Sequence, residues 1–183
     1  TNAELMAAVI SAMFTVFTYI TPILREQTGA SLGFVTAMLV LYGLGLTVGN
    51  WVGGKFADRS VDRTLIVTLA GLSLVLLTFA VAMPLASVSA VLIFLWGIAS
   101  FALVPPLQVR VMDAAREAPN LASAVNIGAF NLGNAIGAAL GGAVIAGGLG
   151  YPAVALAGAG ASALGLLMIV LMSRPPAVMI AAE

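Results

Sequence analysis

The chain has 183 residues, of which 62% are hydrophobic and only 8% are charged, and its mean hydropathy is +1.15. Soluble domains carry about 25% charged residues, so this composition excludes an ordinary soluble domain and indicates lipid as the main solvent. The absence of Cys and His excludes disulfides, thiolate chemistry and imidazole catalysis, and the zero net charge gives no field that would attract nucleic acid. We therefore expect no nucleic-acid partner, no metal and no cofactor.

Six stretches are long and apolar enough to cross a bilayer, which takes about 20 residues. In chain order, spans one to six cover residues 5–24, 32–54, 64–83, 88–109, 121–149 and 152–173. The sequence therefore predicts an all-α membrane protein, with a single six-helix transmembrane domain over residues 1–183. The two long connections, at 55–63 and 110–120, fall on one side and are predicted to be inner loops. Because the chain opens at Thr1 without a Met, we expect a fragment, a processed product or a trimmed chain.

The cations predict the orientation of these spans. Six of the seven basic residues fall on the side of the long connections: Lys55, Arg59, Arg63, Arg110, Arg116 and Arg174. Only Arg25 falls on the other side. An excess of Lys and Arg marks cytoplasmic loops, so both termini are predicted to be cytoplasmic, in a membrane such as the bacterial inner membrane.

Two glycine ladders lie 88 residues apart inside spans two and five. They comprise Gly45, Gly49, Gly53 and Gly54 in the first, and Gly133, Gly137, Gly141 and Gly142 in the second. At the same offset Tyr42 matches Phe130 and Leu44 matches Leu132. The offset maps three spans onto three, so it predicts two inverted three-helix repeats, at 5–83 and 88–173, as in alternating-access transporters. The alternative is that two such ladders arose by chance, since glycine is common in membrane helices.

The connection between spans two and three carries a motif, Gly54-Lys55-Phe56-Ala57-Asp58-Arg59-Ser60-Val61-Asp62-Arg63. It resembles the loop signature of the major facilitator superfamily, G-x-L-A-D-R-x-G-R-[KR], with departures at Phe56, Val61 and Asp62. In that family a degenerate copy of the signature lies between helices eight and nine. The resemblance therefore implies the carboxyl-terminal six-helix half of a twelve-helix transporter.

Span five adds to this resemblance. Its sequence Gly133-x3-Gly137-Ala138-x2-Gly141-Gly142 is similar to the antiporter motif G-x3-G-P-x2-G-G, with Ala138 where the motif has Pro. Three further stretches look like sugar-efflux and arabinose-efflux members of the drug:proton antiporter branch: 14–22, 104–108 and 118–124. The branch implies efflux by antiport, although no charged residue lies at the middle of any span. A coupling carboxylate would then have to lie in another half.

The inner loops offer a candidate latch between the repeats. The gating residues are Asp58, Arg59, Arg63, Asp113 and Glu117. We expect Arg59 or Arg63 to pair with Asp113 or Glu117, while the resemblance implies that Asp58 caps a helix of the opposite half. The alternative is a solvated loop whose ion pairs contribute about 0–1 kcal/mol.

Amides and aromatics in spans one, four and five are the candidates for a substrate cavity. They are Phe14, Phe17, Thr18, Tyr19, Trp96, Ser100, Asn126, Phe130, Asn131 and Asn134. Such groups suit a neutral polar or amphipathic solute. The alternatives are that each Asn bonds a neighbouring helix, and that Trp96 and Tyr19 serve in packing or as interface anchors.

Pro105 and Pro106 remove two backbone donors late in span four. One reading is a kink or break that acts as a gating hinge, and the other is a helix that simply ends near Gln108.

The leading prediction is half of a secondary transporter that exports a sugar or drug, with an amino-terminal half or a second copy of the chain as partner. A non-transporting six-helix membrane module is the alternative, and an enzyme is not expected. If the superfamily mapping holds, the six ladder glycines (Gly45, Gly49, Gly53, Gly133, Gly137 and Gly141) are predicted to face the interface between halves.

Overall fold

A computed structural model describes residues 1–114 and 117–173. These residues form α-helices and no strand. The helices are α1 (Asn2–Phe17), α2 (Ile20–Gln27), α3 (Leu32–Ala57), α4 (Val61–Ala82), α5 (Ala86–Ala102), α6 (Val104–Ala114), α7 (Pro119–Ala146) and α8 (Gly150–Met172). They make six spans long and apolar enough to cross a membrane, which confirms the predicted fold class.

Span one is broken into α1 and α2. Proline has no amide hydrogen to donate to the carbonyl four residues earlier, and its ring crowds that carbonyl. Pro22 therefore leaves the carbonyl of Thr18 without its helical donor, and α1 ends at Phe17, next to this position. The sequence analysis did not predict this break, although Pro22 was its signal.

Span four is broken into α5 and α6 for the same reason. Pro105 and Pro106 deprive the carbonyls of Phe101 and Ala102 of helical donors, and α5 ends at Ala102. The helix then resumes as α6 and runs past Gln108, so the interpretation that span four ends near Gln108 is wrong. The first helices of the two predicted repeats, α1 and α5, are 16 and 17 residues long before their breaks.

The first span lies at the centre of the bundle. α1 packs against α7 and α8, α3 packs against α5, and α4 packs against α8. In the most apolar 18-residue window of each span, 61% of residues are buried in span one, against 28% in span two and 22% in span five. α3 and α7 are therefore the least enclosed helices of the bundle.

Glycine brings α3 into backbone contact with α5, along what we call the first glycine seam. The pairs of this seam are Gly45 with Phe94, Gly49 with Ile98, and Gly53 with Ala102. At each pair, a Cβ on the glycine would overlap the carbonyl oxygen of its partner. Only a residue without a side chain allows two helices to approach so closely.

α7 meets α1 in the same way, along the second glycine seam. Its pairs are Gly133 with Ala7, Gly137 with Ser11, and Gly141 with Thr15. In both seams the partners recur every four residues and the two helices run parallel. The glycines of the two seams are 88 residues apart and their carbonyl partners are 87 apart, so one packing arrangement occurs twice.

The prediction that the six ladder glycines face a partner half is wrong. All six are buried within this chain, each against α5 or α1. Small residues mark the closest helix contact, and here that contact joins the two predicted three-helix repeats within this chain. The faces of α3 and α7 opposite the seams are the exposed ones.

Candidate functional site

Six aromatic rings form a continuous row across the bundle, which we call the aromatic row. It consists of Phe130, Phe14, Phe17, Tyr42, Trp96 and Phe79, in order of contact. Successive ring centroids lie 6.1, 5.8, 5.1, 4.6 and 6.4 Å apart, within the range of favourable aromatic pairs. The row brings together four predicted cavity residues: Phe14, Phe17, Trp96 and Phe130.

One end of the aromatic row is accessible and the other is buried. Phe14, Phe17 and Phe130 are half-buried, whereas Trp96 is 2% exposed. Ser100 is also fully buried, and its hydroxyl oxygen lies 3.5 Å from the hydroxyl of Tyr42. Trp96 and Ser100 therefore lie in the packed interior of this structure, which agrees with the packing alternative for Trp96.

Tyr19 also serves in packing. Its hydroxyl donates a hydrogen bond of 2.9 Å to the carbonyl of Ala138, and its ring lies over Gly141 and Gly142. It thus ties the break in span one to α7. Thr18, its neighbour, is exposed, and its hydroxyl donates a hydrogen bond of 2.8 Å to the Phe14 carbonyl.

The amides of α7 differ in their surroundings. Asn131 is exposed, and its side chain donates to the Ile127 carbonyl of the same helix at 3.0 Å, so this bond does not join two helices. Asn134 is half-buried, one turn further along. Asn126 is half-buried too, but its side-chain oxygen is enclosed and has no hydrogen-bond partner among the described residues. Asn131, Asn134 and the accessible rings of Phe14 and Phe130 together present both amide groups and apolar surface.

An ion pair closes the end of the bundle where α4 begins and α6 ends, which we call the charged end. Arg110 donates to one carboxylate oxygen of Asp62, and the Ser173 hydroxyl donates to the other at 2.8 Å. Arg110 also donates from Nε to the side-chain oxygen of Asn2 at 2.9 Å. This network, the charged-end network, joins α1, α4, α6 and the end of α8.

The predicted latch involved the same two connections but other residues. It paired Arg59 or Arg63 with Asp113 or Glu117, and this pairing stays a prediction; among the described residues, an ion pair between the two connections joins Arg110 with Asp62. Arg59 lies over the ring of Phe56, 5.7 Å from its centroid. Asp58, Arg63, Asp113 and Glu117 are exposed. Arg116 and Arg174, which were counted for the orientation, lie outside the described residues.

No group of three His, Cys, Asp or Glu side chains in residues 1–114 and 117–173 could hold a metal ion. All charged side chains in these ranges lie in connections or near helix ends, so the aromatic row crosses a region of uncharged residues. Its chemistry is therefore hydrogen bonding and apolar contact.

A family model described as Major Facilitator Superfamily matches residues 4–181, nearly the whole chain. The chain belongs to the major facilitator superfamily. Its six apolar spans agree with this membership, which indicates a multi-pass membrane protein of a transporter family and not an enzyme.

Curated relatives within the superfamily support the same assignment. The chain is 53% identical over 167 residues to the inner membrane transport protein YdhP of Escherichia coli (strain K12), covering 89% of this chain and 42% of that protein. It is 36% identical over 158 residues to the uncharacterized MFS-type transporter YfhI of Bacillus subtilis (strain 168), covering 86% of this chain and 40% of that protein. The chain spans about two fifths of the length of the curated relatives it matches.

Four residues of these sites were missed as candidates from the sequence: Tyr42 and Phe79 in the aromatic row, and Asp62 and Arg110 in the charged-end network. Tyr42 lies inside the aromatic row, and its signal was the 88-residue match to Phe130, another member of the row. Asp62 stands where the superfamily signature has Arg, and this departure marks the residue that pairs with Arg110. An acidic residue at a position where the signature has a basic one can thus indicate a different ion-pair partner.

Proposed function

We propose that this chain is half of a secondary active transporter that exports a small organic solute, such as a sugar or drug, by alternating access. The observation that carries the proposal is the exposure of α3 and α7 on the faces opposite their seams. Leu44 and Leu132, which match at the 88-residue offset, are each 56% exposed. Two symmetry-matched apolar faces favour a second six-helix unit, and the relatives are long enough to contain one.

The solute would contact the accessible end of the aromatic row. Phe14, Phe17 and Phe130 offer ring faces and edges, while Asn131 and Asn134 offer amide groups from α7. Rings bind the apolar faces of a solute and amides bind its hydroxyl groups. A neutral polar or amphipathic solute fits this combination better than an ion does, because no charged side chain of the described residues lies near the row.

The proposed proton coupling would use a carboxylate outside this chain. Proton-driven transporters place titratable groups within the membrane, and the described spans have none at their middle. We assign the coupling group to the missing half.

The charged-end network would serve as the cytoplasmic latch. It joins helices of both predicted repeats, so relative movement of the repeats must stretch or break the bond between Arg110 and Asp62. The positive-inside rule supports placing this end, and both termini, in the cytoplasm.

The test is solute flux through the protein in everted membrane vesicles, with a labelled pentose and a neutral, amphipathic fluorescent dye as probes. Phe14→Ala and Asn131→Ala are expected to reduce uptake of the transported probe about 5- to 12-fold, since each removes a contact of roughly 1–1.5 kcal/mol. Phe34→Ala is the matched control, because Phe34 is also half-buried but lies outside the aromatic row. Equal loss in the control would contradict the assigned solute site.

The alternative function is a six-helix module that does not transport. Uptake of neither probe in vesicles that contain the protein together with its other half would favour that alternative. A protonophore separates coupling from transport: uptake that survives it would leave export intact and remove the proton-coupling part of the proposal.

A further inference from the structure

A groove of about 430 Å³ opens at the charged end between α3, α4 and α5. The apolar residues that line it, which we call its apolar floor, include Val52, Gly53, Val67 and Ala102. Thr64 and Thr68 also line the groove. It shares no residue with the aromatic row. The groove is therefore a separate site from the one proposed for the solute.

Two arginines form the polar rim of this groove. Arg59 and Arg63 both line it, and both are exposed. Arg59 is held over the ring of Phe56, another lining residue. No acidic side chain is among the described residues that line the groove, and Asp62, the neighbour of Arg63, is already engaged by Arg110 and Ser173. The rim thus carries two positive charges that the groove itself does not neutralise.

The apolar floor of the groove continues along the outer surface of α4. The exposed apolar side chains on this helix are Val67, Leu74, Leu77 and Val81, which are 71%, 65%, 47% and 78% exposed. They recur along most of the 22 residues of α4, a helix about 33 Å long. The strip begins in the groove and ends near the opposite end of the bundle.

We propose that this groove binds one anionic phospholipid, with its phosphate on Arg59 and Arg63 and one acyl chain along the apolar strip of α4. Charge complementarity identifies the headgroup, because two guanidinium groups suit a phosphate. The apolar floor and strip identify the rest of the molecule, because a free anion would leave them unused. The site does not depend on which solute is transported.

The test is titration of the purified protein in detergent with short-chain phosphatidylglycerol, with bound lipid counted by native mass spectrometry. Each basic residue near a lipid surface contributes about 1 kcal/mol, so Arg59→Gln with Arg63→Gln is expected to weaken binding about 30-fold. Lys55→Gln is the matched control: it removes one charge from the same connection, but Lys55 lies over Trp51 and does not line the groove. Its effect is expected to be less than about threefold.

Several results would overturn the proposal. Phosphatidylcholine of the same chain length binding as tightly as phosphatidylglycerol would remove the role of the charges. Displacement of the lipid by equimolar glycerol phosphate would assign the site to a free anion. No lipid adduct on the wild-type protein, with Arg59 cross-linking to another membrane domain, would assign it to a protein partner. Arg59→Lys with Arg63→Lys keeps both charges, so an affinity as low as that of the Gln variant would also overturn the proposal. Equal resistance of the Gln variant and the wild type to unfolding in sodium dodecyl sulfate checks that the loss in the Gln variant is not unfolding.

Discussion

The two glycine seams share their spacing but differ in what the glycines touch. In the first seam the nearest contacts of Gly45, Gly49 and Gly53 are all backbone atoms of α5. A Cβ on Gly97 of α5 would likewise meet backbone atoms of Tyr42 and Gly45 in α3. At the end of the second seam Gly141 meets the ring of Tyr19 as well as the Thr15 carbonyl, and the adjacent Gly142 meets only the Tyr19 side chain. A side chain can rotate away and a helix backbone cannot. The first seam is therefore expected to be rigid along its length, and the second to be adjustable at one end.

Gly49→Ala should have the largest effect, because its Cβ would overlap the Ile98 carbonyl more closely than at any glycine of the second seam. Overpacking costs about 1–3 kcal/mol, and we expect about 3 kcal/mol here. The measurement is unfolding in mixed micelles with increasing sodium dodecyl sulfate. Gly43→Ala is the control, since a Cβ there meets nothing within 4 Å. Similar stability of the two variants would refute the rigid first seam.

Gly137→Ala tests the backbone part of the second seam. Its Cβ would lie 2.6 Å from the Ser11 carbonyl oxygen and 2.9 Å from the Thr15 nitrogen. We expect a loss of about 2 kcal/mol in the same unfolding assay, less than for Gly49→Ala. Gly128→Ala, on the same helix but with open space around it, is the matched control. A larger loss for Gly137→Ala than for Gly49→Ala would reverse the order of the seams.

Arg110→Gln tests how much the charged-end network contributes to the free energy of unfolding. The change leaves a partly buried Asp62 without its cation, and hydrogen bonds to charged groups contribute about 1.5–3 kcal/mol. Because Asp62 is partly exposed, we expect about 1.5 kcal/mol in the unfolding assay. Arg25→Gln, an exposed arginine at the opposite end of the bundle, should change stability by less than about 0.5 kcal/mol. Equal effects would show that the network adds nothing beyond net charge.

Gly142→Ala should have the smallest effect and the clearest rescue. Its Cβ would meet mainly the Tyr19 hydroxyl, at 2.8 Å. We expect a loss below about 1 kcal/mol, which Tyr19→Phe should largely remove in the double variant. A double-mutant cycle in the unfolding assay measures this coupling. Strict additivity of the two changes would mean that the tyrosine does not make the second seam adjustable.

The sequence was sufficient for the spans and for the position of the ladders, because both depend on local composition. It did not identify what the ladders contact. A face of small residues predicts close packing but does not name the partner, and the partner helices, α5 and α1, were assigned to solute binding instead. The break at Pro22 could have been predicted from the proline, whereas the pairing of Asp62 with Arg110 joins residues 48 positions apart and requires the fold.

Four of the six rings in the aromatic row were named from the sequence, as candidates for a substrate cavity and not as a row. Phe14 and Phe17 lie on one predicted helix, and Phe130 shares a helix face with Asn126 and Asn134, so the sequence alone places these rings near polar groups. Tyr42 and Phe79 come from helices whose relative positions the sequence does not give. For Tyr42, the internal match to Phe130 was the available signal, since equivalent positions in two repeats have equivalent surroundings.

The placement of the two tryptophans gives the protein a pair of built-in optical probes. Trp96 is enclosed in the aromatic row, and no described residue accepts a hydrogen bond from its indole nitrogen, so its emission should lie at short wavelength and resist acrylamide quenching. Trp51 is 66% exposed on the outer face of α3, where brominated acyl chains or a second six-helix unit would change its quenching. The fluorescence of the unlabelled protein therefore reports separately on its interior and on the exposed outer face of α3.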